Sequence, residues 1–265
     1  MAPIGAMGFK MLFVGKIHST ATLGYFSQAQ KLRDLPVIST VQAVQGVTYP
    51  ALSTLADDDA KFSAAYLRIV RLLSLVVFPV MLGLVAVAPE MFALLLGDKW
   101  MPTVPYFEIL ALSGLVYPLS IVAYNILKVR SDGRIILRLE LIKRVAMTLI
   151  LVYTIPRGVE AVAWGMTAMA VVDYLINTFA AQRYAATSFG RLVWAVLPSL
   201  ATATIMFGVL YLLSPHFAAL TLGWRLLAKV ATGVVVYTLV AMVLRFEAVR
   251  DALTLLSSQT KKSAC

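Results

Sequence analysis

Cysteine is nearly absent from this 265-residue chain: Cys265 is the only one. That excludes a disulfide framework and any cysteine-based metal site. Histidine is almost as scarce. His18 and His216 stand apart in expected loops and read as solvated side chains, so no metal or cofactor is expected. No Walker, HExxH or CxxC pattern occurs, and no GxSxG sits on a nucleophile elbow. Nothing in the chain is a positive sign of catalysis, and it is read as a non-enzyme. Residues 1–17 lack a basic leading region, an unbroken apolar core and a small-residue cleavage site, so they do not read as a signal peptide. No internal repeat is visible.

Charge is scarce as well. Only 14% of residues are charged and 60% are hydrophobic, with a mean hydropathy of +0.85. These values lie outside the range of ordinary soluble domains. Long apolar segments fall near 34–56, 72–97, 104–127, 135–155, 160–181, 192–213 and 224–244. Segment 104–127 offers 24 residues with Glu108 as its only charge, where about 20 are needed to cross a bilayer. The pattern predicts an all-α polytopic transmembrane bundle of about seven full spans, preceded by a partial one.

Lys and Arg gather in every second gap between these spans. One set of gaps holds 15 of them, from Lys61, Arg68 and Arg71 through Lys128–Arg144, Arg183 and Arg191 to the tail after Arg245. The alternate set holds four: Lys99, Arg157, Arg225 and Lys229. Positive flanks resist translocation, so the rich set, with the C-terminus, is expected in the cytoplasm. Topology and anionic lipid headgroups account for the net charge of +10, leaving no compact basic module and no expected nucleic-acid partner.

Punctuation places the turns. Inner loops are expected at 57–61, 128–134 and 182–191, and outer loops at 98–103, 156–159 and 214–223. Asp57, Asp58 and Asp59 end the first span and suit the N-terminus of the next helix. From Ala60 to Arg71, apolar Phe62, Tyr66, Ile69 and Val70 beside Lys61, Arg68 and Arg71 predict a helix lying on the membrane surface before it dives. Pro50, Pro79, Pro89, Pro118 and Pro198 fall inside spans and predict kinks.

Three groups of residues are candidates for chemistry. Along a helix from Thr22 to Leu55, Ser27, Lys31, Asp34, Gln42 and Gln45 share a stripe, with Arg33 on the opposite side. Either this stripe walls a cavity in which Lys31, and secondarily Arg33, attracts a phosphate, or 22–34 is an interfacial helix that breaks at Pro36. Asp173 is read as the acid deep in a span, with Asn177 one turn away. The pair could hold a coupling cation or proton, or simply bond a neighbouring helix. In RIILRLELIKR (134–144), Glu140 can pair with Lys143 or Arg144, on a segment expected to snorkel to the inner face or to gather an anionic lipid-linked substrate.

The stretches LGYFSQAQKLRDLP (23–36), VTYPALSTLADD (47–58), RIVRLLSLVVFPVMLGLVAVAPEMFALLLGDKW (68–100) and KVRSDGRIILRLELIKR (128–144) resemble the oligosaccharide flippases of bacterial polysaccharide synthesis. These are the Wzx-like and lipopolysaccharide biosynthesis proteins of the multidrug/oligosaccharidyl-lipid/polysaccharide exporter superfamily. The resemblance is clearest over 20–180. It implies the second half of a fourteen-helix transporter of the bacterial inner membrane, rocking about a central cavity by alternating access. It further implies that a polyprenyl-pyrophosphate-linked oligosaccharide moves from the cytoplasmic to the periplasmic leaflet, and that a missing N-terminal half or a second copy is needed. Lys31 is the position-matched cation for the pyrophosphate, with Arg33 second and Gln42 and Gln45 beside them. On this reading residues 1–17 are the remnant of a truncated helix, 18–182 the transporter lobe, 183–245 two additional helices and 246–265 a cytoplasmic tail. A membrane enzyme of lipid-linked glycan assembly, or a non-transporting fragment, is the alternative.

Overall fold

The computed structural model describes residues 19–244; expectations for 1–17, for His18 and for the tail lie outside them. Seven long helices stand where seven spans are expected, as α1 (Thr20–Ser53), α2 (Asp59–Ala86), α4 (Val104–Arg130), α5 (Gly133–Thr154), α6 (Val159–Ala185), α7 (Phe189–Phe217) and α8 (Leu222–Leu244). A short α3 (Ala88–Leu96) and a 3-10 turn (Asp98–Thr103) lie between α2 and α4.

Local chemistry explains most boundaries. Ser19 caps α1 by accepting from the Thr22 N–H, Asp58 caps α2 through the Lys61 N–H, and Asp132 caps α5 through Arg134. Of the two readings of this region, the one with a break at Pro36 is not what forms: α1 runs through it. Ser39 and Thr40 donate their hydroxyls to the carbonyls of Leu35 and Pro36, the i−4 bond of helical Ser and Thr, while the carbonyl that Pro36 deprives of its N–H is that of Leu32. Pro89 acts differently from the kink expected of it. It occupies the first turn of α3, where a missing N–H costs nothing, and the span 72–97 therefore divides at Val87. Helix α7 continues through His216 to Phe217, so His216 is helical rather than in a loop.

The expected surface helix at 60–71 is instead the first part of α2, running straight into the span. Phe62, Tyr66 and Val70 are buried in one cluster with Leu127, Ala185 and Leu192 of α4, α6 and α7. The basic end of the bundle, where α1–α2, α4–α5 and α6–α7 turn, is closed by Arg130. Its guanidinium donates to Asp59 (2.7 Å), to the Tyr184 carbonyl (2.8 Å) and to the Ala56 carbonyl (2.5 Å), and lies 3.8 Å over the Phe62 ring.

Helix α4 is central and packs against α1, α2 and α6; α7 packs on α2, α8 on α7, and α5 on α6. Small residues set the close approaches. A Cβ on Gly165 would meet Ile150 and Thr154 of α5 at 2.9 Å, so glycine is what lets α5 and α6 touch. Five stretches among the described residues are long and apolar enough to cross a membrane: α2, Asp98–Arg130, α6, α7 and α8. The two long helices outside that group, α1 and α5, are the ones rich in polar and charged side chains. Both face a common cavity.

Candidate substrate cavity

The cavity lies between α1, α4, α5 and α6 and has a volume of about 600 Å³. Helix periodicity builds its walls. On α4 the inward stripe runs Ser113, Tyr117, Ile121, Tyr124 and Lys128, spaced three or four residues apart. On α5 the same spacing aligns Glu140, Lys143 or Arg144, and Met147; on α6 it aligns Met166, Met169 or Ala170, Asp173 and Asn177.

Lys143 is the best-held charge on these walls. It is 7% exposed, and its ammonium meets Glu140 Oε1 at 2.5 Å, Asp173 Oδ1 at 3.1 Å and Asn177 Oδ1 at 3.3 Å. The Tyr124 ring lies 5.2 Å away, and Lys128 approaches the same ring at 4.8 Å. The other oxygen of Asp173 accepts from the Ser120 hydroxyl at 2.7 Å and from the Asn177 amide at 3.3 Å, and that amide also donates to Ser120 at 2.9 Å. A lysine among three oxygens is satisfied, which is the condition for leaving a charge inside an apolar bundle. Snorkelling, expected for this segment, is therefore not what Lys143 does.

Of the charged side chains on the walls, Arg33, Lys128, Lys143 and Arg144 are basic and Glu140 and Asp173 acidic, leaving an excess of positive charge. Arg33 pairs at 3.1 Å with Asp34, which lies off the wall, while its buried Nε has no partner among the described residues. Such a pocket can accept an anion without first extracting every cation from an ion pair.

The sequence candidates divide. Arg33 and Gln45 line the cavity, and Asp173 and Asn177 line it and bond each other. Lys31 and Gln42 are exposed and off its wall. The α1 stripe thus divides: Gln45 lines this cavity and Lys31 does not, while Phe26, Ala29, Gln30 and Val37 are buried and Arg33 lies on the cavity wall. Sequence reasoning also missed a second buried acid, Glu90. Its Oε1 meets Lys229 of α8 at 2.7 Å, with the two residues 6% and 4% exposed. Glu90 sits in an apolar run beside Pro89, in the first turn of α3.

Residues 4–105 match the polysaccharide biosynthesis protein family. The succinoglycan biosynthesis transport protein ExoT of Rhizobium meliloti is 26% identical over 96% of this chain and 52% of its own length. The teichuronic acid biosynthesis protein TuaB of Bacillus subtilis is 24% identical over 86% of this chain and 48% of its own. The lipopolysaccharide biosynthesis protein WzxC of Escherichia coli is 24% identical over 40% of the chain and 21% of its own. The chain is thus similar, in its first part by family model and over most of its length by relatives, to Wzx-like polysaccharide biosynthesis proteins. It spans about half the length of the relatives it matches across most of its sequence. In fold it resembles the lipid II flippase MurJ in an inward closed conformation, with a TM-score of 0.63 at 15% identity over 84% of this chain and 47% of that one. With its long apolar helices, the chain is a multi-pass membrane protein.

Proposed function

We propose that the chain is half of a flippase that carries polyprenyl-pyrophosphate-linked oligosaccharide from the cytoplasmic to the periplasmic leaflet of a bacterial inner membrane, with its C-terminus cytoplasmic. The observation that carries this reading is the net-basic cavity walled by α1, α4, α5 and α6 inside an otherwise apolar bundle. A pyrophosphate needs cations and hydrogen-bond donors there, and Arg33, Lys128, Lys143 and Gln45 supply them. The substrate changes side without a bond being made or broken, so the chain acts as a transporter and not as an enzyme. Asp173 and Asn177 form the coupling site, because displacing Lys143 towards the pyrophosphate leaves Asp173 in want of another cation.

Lys31 and Gln42 lie on a face of α1 that no described helix covers. A second lobe, either an N-terminal half or a second copy, would close the cavity across that face and bring both residues to the substrate. The names of the relatives supply the polysaccharide context, and that of the structural neighbour the flippase context. The test is translocation of a fluorescent polyprenyl-pyrophosphate oligosaccharide in proteoliposomes, with the chain alone and co-reconstituted with the first half of a full-length relative. The reading expects transport in the combined vesicles, reduced at least tenfold by Arg33→Ala. Combined vesicles no faster than empty ones would refute it.

A further inference from the structure

Helix α3 is a nine-residue rod between two joints. At one end the chain leaves α2 through Val87, whose φ of −106° and ψ of 4° lie outside the helical range. At the other end Gly97 has a φ of +83°, a left-handed conformation that glycine adopts freely and other residues do not. One face of the rod is apolar: Ala88 and Phe92 are fully buried, and the Phe92 ring meets Phe107 of α4 edge-on at 5.3 Å. The opposite face carries Glu90, the only polar side chain in α3, and α8 reaches it with Lys229. The Lys229 ammonium lies 2.7 Å from Glu90 Oε1 and 3.5 Å from the carbonyl of Ala86, in the last turn of α2. It therefore sits between the negative end of one helix dipole and a carboxylate in the first turn of the next helix.

Two features allow this contact to open. Glu90 Oε2 is buried without a partner among the described residues, and a carboxylate held through one oxygen is released more easily than one held through both. Lys229 and Val87 also border an apolar groove of about 400 Å³ between α2, α7 and α8, which leaves free space beside the joint.

We propose that Lys229 is a clasp that locks the α2–α3 joint to α8, and that α3 turns about Val87 and Gly97 only when the ammonium releases Glu90. The apolar contacts of Ala88 and Phe92 are non-directional and can slide, whereas the ion pair selects one orientation of the rod. Helix α8 thereby governs the bend, and α7 and α8 become part of the moving structure. The inference concerns the chain itself and holds or fails independently of the flippase reading.

Spin labels on the full chain in nanodiscs test it. With Cys265→Ser removing the native thiol, Leu95→Cys on α3 and Val243→Cys near the far end of α8 place labels at exposed positions. The parent should give one narrow distance. Lys229→Ala should add a second distance, and propylammonium, which replaces the deleted part of the side chain, should suppress it where sodium chloride of equal ionic strength does not. Truncating Lys229 leaves a buried carboxylate without its cation and can impair folding, so Glu90→Gln, which keeps the shape, is the second variant. It should also show the second distance, and Lys229→Ala combined with Glu90→Gln should not respond to propylammonium. A single unchanged distance in folded Glu90→Gln overturns the clasp. So does a second distance in folded Lys229→Ala that propylammonium suppresses no better than sodium chloride.

Discussion

Lys143 of α5 and Asp173 of α6 meet at 3.1 Å on the cavity wall, and each keeps a further partner when the other is removed. Lys143 retains Glu140 at 2.5 Å, and Asp173 retains the Ser120 hydroxyl at 2.7 Å. The pair can therefore open without leaving either group wholly unpartnered, as a residue that alternates between a carboxylate and a passing anion requires.

This sharing sets an asymmetry in stability. Asp173→Asn keeps the shape and its hydrogen bonds and should change the midpoint of chemical unfolding little. Lys143→Met leaves two carboxylates side by side and should cost about 1–3 kcal/mol. That is less than the roughly 3–5 kcal/mol of a fully buried pair, because the Asp173 and Glu140 side chains are 25% and 37% exposed. Adding Asp173→Asn to Lys143→Met should recover part of the loss in a double-mutant cycle. Additive losses would mean that the pair is not coupled.

In transport, Arg33 should matter more than Lys31. Arg33→Ala removes a wall cation and should lower translocation at least tenfold, whereas Lys31→Ala, at an exposed position, should lower it less than threefold, for changes in barrier of roughly 1.4 and 0.7 kcal/mol. Both variants should reach wild-type protein levels. A larger defect in Lys31→Ala than in Arg33→Ala would mean that the pyrophosphate rests on the α1 face that the second lobe covers and not on Arg33.

Packing of α5 on α6 depends on Gly165. Gly165→Val should push Ile150 and Thr154 away, costing about 1–3 kcal/mol and widening the cavity on its α5 side. Cysteine pairs across the α5–α6 seam should cross-link more slowly in the variant than in its parent. An unchanged rate would show that the seam is not set by this glycine.

At the α1–α2 turn, the Lys61 backbone N–H, then its ammonium, donates to Asp58 and holds its carboxyl below the ordinary aspartate range. A lowered pKa in the folded state means that the cap contributes fully above the unfolded value, near 3.9, and fades as pH falls through the folded one. Amide exchange in the first turn of α2 should therefore stay protected at pH 5 and rise only below about pH 4. Asp58→Ala should remove that pH dependence and loosen the turn at every pH.

Much of the fold was legible because it rests on local chemistry. Apolar length and the sorting of Lys and Arg located seven helices, and Asp58 and Asp132 marked two of their starts. Of the two readings left open at Pro36 the continuous helix is the one found, whereas Pro89, read as a kink, starts a new helix because its missing N–H falls in a first turn. Asp173 and Asn177 were legible as neighbours because i and i+4 share a helix face. Lys143 was legible as Glu140's partner but not as buried, since its burial depends on which face α5 turns to α6. Glu90 and Lys229, 139 positions apart, had no local signal at all.

The most direct test of the cavity's role is photo-crosslinking with a polyprenyl pyrophosphate that carries a diazirine next to the phosphates. The account predicts adducts on cavity peptides around Tyr117–Lys128 and Lys143–Met147, suppressed by excess inorganic pyrophosphate and reduced by Arg33→Ala. Adducts confined to the outward faces of α7 and α8, unaffected by pyrophosphate, would contradict it.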